Sequence, residues 1–412
     1  MRAPTVELGL GDERVCFTLV PQVEWEVVEP ASSLEAGSPH LAPVLETELP
    51  DKLGDRDRAV FVVPDLTRPA PVAESLPVLV EALERRGVPR SRQTVLVAAG
   101  THSAPAAGEF ARLWQAPAGV EIVVHDAAAP GTKRGETRAG TPVEVNDRYA
   151  SASFRITLGG VSLHYLAGFG GGPKMVFPGV ASRAGAAANH KRSLGPLPPG
   201  GLHPGCGPGV IEGNPVAQDI AEAAALDAAE ACVQVVKHHG AWRYFGGTKG
   251  LTEAREAVRT RGAVGDPVAY DLVVASLGGA PRDIDVVQSH KALAHAARYA
   301  RPGAALVLFA ATPGGPGSPS FARWLGVPSP DELERQAREQ YDLNAQTAVS
   351  LKGLCRRHTV LWVGSKTPEW VRMAGAIGLE PGADVEAALA GVSGRGAVLP
   401  AATEVVPRSP AG

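Results

Sequence analysis

The chain has 412 residues, 44% of them hydrophobic and only 5% aromatic, so its cores must be built from Val, Leu, Ile and Ala, and two domains are the natural division. It carries 40 basic and 43 acidic residues, a net charge of −3 with no long basic run, which argues against a nucleic-acid partner. No run of the roughly 18 apolar residues a membrane helix needs occurs, and Glu7, Asp12 and Glu13 interrupt the start before a signal peptide could form. Cys16, Cys206, Cys232 and Cys355 are widely spaced and make no C-x-x-C pair. The expectation is a soluble, cytoplasmic protein with reduced thiols and no membrane contact.

In chain order, the apolar run Ala59–Val63 predicts the first strand, and Glu74–Arg86 a helix with Leu76, Leu79, Val80 and Leu83 on one face and Gly87 as its stop. Strands follow at Thr94–Ala98, Glu121–Val124 and Phe154–Leu158. Gly195 to Pro215 is dense in Gly and Pro and predicts a long irregular loop inside the first domain, before a helix over Pro215–Glu230. A turn at Arg261–Asp266 marks a boundary between an N-terminal domain, 1–264, and a C-terminal domain, 265–412, whose tail from 401 lies on the surface and is free to pack back on the first domain. The second series is strand Asp271–Ser276, helix Lys291–Ala300, strand Ala304–Phe309, helix Asp331–Tyr341, strand Thr359–Val363 and helix Glu369–Ile377. The strand runs are continuous rather than alternating, as in parallel strands covered on both faces, so the class is α/β with mostly parallel sheets flanked by helices.

Polar residues gather just after the predicted strands: Asp65, Thr67 and Arg68 after the first, Thr101 and His102 after the second, His125 and Asp126 after the third, and His164 beyond the fourth. In open α/β sheets the loops at the carboxyl ends of strands form the ligand crevice. The segment GFGGGPKMVFPG, Gly168 to Gly179, is the strongest local signal. It fits neither G-x-x-x-x-G-K-[ST] nor G-x-G-x-x-G, because Pro173 and Met175 stand at required positions. Gly171 and Gly172 still let backbone amides approach an anion, and Lys174 is placed either to bind a phosphate or carboxylate or to act as a desolvated nucleophile. His190 stands in a small-residue helical run without a second metal-binding side chain at i+3 or i+4, so a metal there needs ligands from elsewhere or from a cofactor. His238 and His239 are adjacent and cannot both face one site in regular structure. Gln288, His290 and Lys291 occur at the predicted start of a helix, a place that suits a carboxylate.

Taken together, DLTRP at 65–69, GTH at 100–102, His164 ten residues before Lys174, His190 sixteen residues after it, and QSHK at 288–291 resemble the nickel-pincer nucleotide-dependent lactate racemase family of 2-hydroxy-acid racemases and epimerases. The resemblance implies two α/β domains with the active site in the cleft between them. It implies a pyridinium mononucleotide cofactor with two sulfur-bearing arms (the 3-thioamide, 5-thiocarboxylic acid form), joined covalently to Lys174 and binding nickel through S, C and S. His190 then supplies the metal's protein ligand, and His102 and His164 are the acid/base pair. Asp65, Thr67, Gly171 and Gly172 lie on the cofactor side, while Arg68, Gln288 and Lys291 bind the substrate. The reaction implied is reversible hydride transfer through a bound 2-keto acid, and the partners implied are the proteins that make the pincer. The chain departs from the family at Val287, where lactate-type members often have Tyr, a change that enlarges or dries the substrate pocket. Two other readings are a nucleotide-dependent transferase with GGGPK as an atypical phosphate loop, and a non-catalytic binding relative.

Overall fold

The computed structural model describes residues 4–32, 34–102, 104–197, 200–267 and 269–408. The chain forms two compact units, one from residues 32–192 and 210–259, the other from the remaining stretches up to 31, 193–209 and from 260 onward.

The first unit holds a six-stranded sheet among the described residues, in the order Ala241–Phe245, Ala231–His238, Phe154–Gly160, Ala59–Pro64, Gln93–Ala98, Glu121–Val124. Every neighbouring pair is parallel except the edge hairpin of the first two. The Ala59–Pro64 strand, AVFVVP, is buried at every position because it lies mid-sheet with both faces covered. The helix Val72–Arg85 buries Leu76, Leu79, Val80 and Leu83, its predicted apolar face, in a core with Phe61, Val63, Val95, Ile156 and Val233. Removing one such leucine side chain costs about 2–5 kcal/mol. This packing aims the carboxyl ends of three adjacent strands the same way, and those ends carry Asp65, His102 and His125.

The second unit holds a second six-stranded sheet, ordered Ile377–Leu379, Thr359–Val363, Ala300–Phe309, Tyr270–Ser276, Gly394–Leu399, Val23–Val27, with all neighbours parallel. Helices Val286–Ala296 and Ala345–Arg357 pack on one face with Phe321 and Trp324. The hairpin Thr5–Leu10 with Glu13–Thr18 places Leu8 and Phe17 against Val274, Val307 and Leu361 on the other. The α/β class and mostly parallel sheets are as expected.

The division differs from a single cut at 265. Val23–Val27 pairs with Gly394–Leu399, Val23 opposite Gly394 and Val27 opposite Val398, so the N-terminal segment joins the C-terminal unit. Its alternation, Val-Glu-Trp-Glu-Val, suits an edge strand with one wet face. Residues 193–209 join the same unit, where Leu194 packs on its core and Arg338 Nη2 donates to the Gly195 carbonyl at 2.7 Å. The tail stays with its own unit: His295 Nδ1 donates to the Val405 carbonyl at 3.0 Å. Three predicted helices are also shifted. Pro215–Ala225 stops short of Glu230, Val286–Ala296 begins before Lys291, and Pro368–Ala374 ends at Gly375, whose φ of 92° closes it before a short strand at Ile377–Leu379. Among the described residues no helix is long and apolar enough to cross a membrane.

Candidate active site

Asp65 leaves the Ala59–Pro64 strand 4% exposed. One carboxylate oxygen, Oδ1, accepts from the Thr67 amide at 3.0 Å and the Thr67 hydroxyl at 2.6 Å, a local turn that fixes the side chain. The other, Oδ2, meets His102 Nδ1 at 3.0 Å. Burial would raise the Asp65 carboxyl, but the hydrogen bond and charge of His102, the Thr67 hydroxyl and the charge of Arg68 outweigh it and hold the group below its ordinary value. A carboxylate at Oδ2 makes His102 Nδ1 the protonated nitrogen, and Nε2 is then the basic one. Arg68 Nη1 donates to the Thr67 hydroxyl at 3.0 Å, so DLTR acts as one connected group.

The GGGPK segment is a single 3-10 turn, Gly172–Met175, and does not open a long helix as a phosphate loop would. Gly171 and Gly172 have φ of 66° and 54°. A Cβ on Gly171 would meet the Gly160 carbonyl at 3.0 Å and one on Gly172 would meet Leu251 at 2.7 Å, so both positions need glycine. The Gly172 amide donates to buried Gln234 Oε1 at 2.8 Å, which locks the turn.

That turn brings Lys174 Nζ to 3.3 Å from His164 Nε2. His164 Nδ1 accepts from the Leu166 and Ala167 amides at 3.2 and 3.1 Å. A neutral imidazole whose Nδ1 takes two N–H bonds carries its proton on Nε2. Lys174 must then accept from Nε2–H, and so is the free amine. Electrostatics agree: burial, then the charge of Arg68, pulls the lysine down to about 7. An amine-selective acylating reagent should therefore label Lys174 in the unloaded protein with a midpoint near pH 7, the rate rising as the ammonium deprotonates and levelling off above about 8. Peptide-level mass spectrometry gives the profile, and a midpoint above pH 9, like that of a solvated lysine, would contradict the free-amine assignment.

His190 lies in the last turn of the helix Arg183–Lys191. Its neighbour Asn189, fully buried, donates to the Val216 carbonyl at 3.1 Å and to Asp219 Oδ2 at 2.8 Å, which pins that turn. Burial, then the charges of Lys174 and His102, lowers His190 to about 3, so it is a neutral imidazole with a lone pair to give at any physiological pH. Among the described residues no group of three or more His, Cys, Asp or Glu is arranged to hold a metal. A metal on His190 would take its other donors from a bound group, and a tridentate cofactor tethered at Lys174 has that chemistry. The donor set thus fits the implied cofactor.

The first unit brings together Asp65, Thr67, Arg68 and His102 as one bonded cluster, and His164 with Lys174 as another; His190 interacts electrostatically with both His102 and Lys174. His125 is structural: Nε2–H donates to the Ala181 carbonyl at 2.9 Å and Nδ1 accepts from Asn146 at 3.3 Å. His239 Nε2 donates to the Ser32 carbonyl at 2.8 Å. Gln288 and Lys291 lie in the other unit, on the helix Val286–Ala296, where Lys291 Nζ donates to Gln288 Oε1 and Asp285 caps the helix through the Gln288 amide at 2.7 Å. Val287 packs partly on that unit's own core. Asn189 and Gln234, which position the site, have no signature in the sequence, since single amides in helix and strand stand out in no motif.

Residues 4–197 match the model of the lactate racemase N-terminal domain. A lactate racemase of Thermoanaerobacterium thermosaccharolyticum is 24% identical over 298 residues, 69% of this chain, and the match spans 66% of that enzyme's length, just under two thirds. A lactate racemase of Lactiplantibacillus plantarum is 26% identical over 351 residues, 81% of this chain and 79% of that enzyme. The structure of the Thermoanaerobacterium thermosaccharolyticum lactate racemase apoprotein is similar in fold over 98% of this chain and 100% of its own, with a TM-score of 0.84 at 22% identity. A Thermotoga maritima protein of known structure matches 88% of this chain and 95% of its own, with a TM-score of 0.61 at 16% identity.

Proposed function

We propose that this chain, which belongs to the lactate racemase family, is an isomerase that inverts the hydroxyl-bearing carbon of a 2-hydroxy acid. One observation carries the proposal: two histidines lie on either side of the hydrogen-bond ledger. His102 donates an Nδ1–H hydrogen bond to the Asp65 carboxylate and keeps Nε2 basic, while His164 accepts two backbone amides at Nδ1 and keeps Nε2 protonated. Inverting a carbon by removing and restoring its substituents needs a base for the hydroxyl proton on one side and an acid for the returning proton on the other, and this pair is set in those two states.

When bound, the nickel-pincer nucleotide supplies the reversible hydride acceptor that lets the 2-hydroxy acid pass through a 2-keto acid and back. Lys174 would carry that group covalently and His190 would ligate its metal. Thr67 and the Gly171–Gly172 turn lie on the cofactor side. His102 takes the hydroxyl proton, and the ionised Asp65 stabilises the imidazolium formed; His164 returns a proton from Nε2, and the roles exchange for the opposite enantiomer. Arg68 is assigned to the substrate carboxylate, whose grip keeps the keto acid from leaving; Gln288 and Lys291, which the family resemblance also assigns to the substrate, are carried by the other unit. A cytoplasmic setting with pincer-making proteins as partners belongs to the same proposal. The short 3-10 turn at GGGPK disfavours a phosphate-loop transferase.

Hydride transfer and proton abstraction are separated by isotope. Substrate deuterated at Cα and racemised in ordinary water should retain deuterium in the product enantiomer, with a primary isotope effect in the rate. Complete washout at the rate of racemisation, followed by NMR, would overturn the hydride route, because a carbon proton held on imidazole exchanges with water quickly.

A further inference from the structure

Beside His102 lies a pocket of about 410 Å³ that its proposed role in proton transfer does not use. It opens at the carboxyl ends of the strands Gln93–Ala98 and Glu121–Val124. Thr101, Asp126 and Arg183 supply its polar wall, Val124 and Ala127 part of its apolar one. His125, which also lines it, has both ring nitrogens occupied by Ala181 and Asn146 and is a fixed wall rather than a reactive group. The Asp126 carboxylate is oriented by the Ala128 amide, which donates to Oδ1 at 2.9 Å.

Size and polarity both bear on the occupant. A methyl group fills about the volume of one water, roughly 30 Å³, so a lactate side chain would leave most of this pocket to solvent. The wall carries one carboxylate and one guanidinium, so it offers no net positive charge to a second anion. The side chains that line the pocket carry donors on Arg183, acceptors on Asp126 and both on the Thr101 hydroxyl. Mixed donors and acceptors at fixed positions are what a chain of hydroxyl groups satisfies, since each hydroxyl gives one hydrogen bond and takes others.

We propose that this pocket receives the substrate's side chain and that the substrate is a polyhydroxylated 2-hydroxy acid, an aldonate. The inference rests on the isomerase reading above. Its hydroxyls would donate to Asp126 and accept from Arg183, with the hydroxyl on C2 at His102.

The test uses protein co-produced with the pincer-making proteins and shown to be loaded by nickel content and intact mass. Lactate, malate, a four-carbon and a six-carbon aldonate are each incubated with it, and inversion at C2 is read by chiral chromatography and NMR. The wild type should prefer an aldonate over lactate in kcat/KM. Asp126→Ala, with Asp126→Asn as a milder second variant, should lower the aldonate-to-lactate ratio roughly tenfold to a hundredfold, chiefly through KM, as expected for losing hydrogen bonds to a charged group. Preference for lactate or malate in the wild type would overturn the pocket assignment while leaving the isomerase reading standing. So would an aldonate preference that neither Asp126 variant nor Arg183→Gln changes. Loss of the covalent adduct in Arg183→Gln or Asp126→Ala would also overturn it, assigning the pocket to the sugar phosphate of the cofactor. Loaded protein that inverts no 2-hydroxy acid would refute the isomerase reading, and this inference with it.

Discussion

Lys174→Ala is expected to abolish inversion of substrate and to remove every covalent adduct from the protein. The position has one route to reactivity, and the fold supplies it. The turn at Gly172–Met175 holds the amine against His164 Nε2–H, and burial with the charge of Arg68 lowers it to about 7, so an appreciable fraction is nucleophilic at neutral pH. A solvated lysine, with its value near 10.5, would be almost wholly protonated there. Intact mass of protein made alongside the pincer-making proteins should show an adduct of several hundred daltons on the order of a mononucleotide's mass. The adduct should be absent from Lys174→Ala and also from Lys174→Arg, since guanidinium keeps the charge but is no nucleophile. Fully active wild type of unmodified mass would end the idea.

The second large effect separates metal binding from proton transfer. His190→Ala should release nickel and lose activity together. His102→Ala and His164→Ala should keep nickel and lose roughly 10²- to 10⁴-fold in kcat, the usual worth of a positioned acid or base. The reason lies in the partners. His190 is a neutral imidazole held low by burial and by the charges of Lys174 and His102, so its lone pair is available to a cation. His102 has Nδ1 committed to Asp65, and His164 has Nδ1 committed to two amides, which orients each ring for work at Nε2. Metal content by elemental analysis, measured beside turnover, decides it. Nickel retained by His190→Ala and released by either of the other variants would reverse the assignment.

Much of this was legible in the residues, and the failures have physical causes. Strands such as AVFVVP at Ala59–Pro64 and TVLWV at Thr359–Val363 are continuous apolar runs, which tertiary structure leaves as strands. The helix Ala345–Arg357 has no sequence signature because residues 345–352 are buried on all sides, Lys352 included, so no apolar stripe marks it. The strand Val23–Val27 escapes the sequence pattern for the opposite reason: its two glutamates break the run, and what makes it a strand is a partner near residue 396. The sequence pattern runs the helix from Pro215 past Ala225 because LDAA continues good helix formers. There Asp227 instead pairs with Arg134 and Arg155, beyond the reach of local propensity. At the site, the ionisable residues were visible by their places after strands. The tautomers were not, since the amides of Leu166 and Ala167 that set His164 depend on how the backbone folds back.

The pairing of Val23–Val27 with Gly394–Leu399 has a consequence for how the protein is made. The strand at residues 23–27 must wait for the one at residues 394–399 before it has its parallel neighbour, and closing so long a loop is slow as well as entropically costly. The unit that bears Lys174, His102, His164 and His190 lies wholly within residues 32–259. On the ribosome it is therefore whole before the other unit, while the hairpin Thr5–Leu10 with Glu13–Thr18, made before it, stays tethered to it without its sheet. The nascent chain would hold Lys174 in its buried turn well before its sister unit exists. Arresting synthesis with about 40 residues past 259 emerged, then probing protease resistance, would display one folded body rather than two.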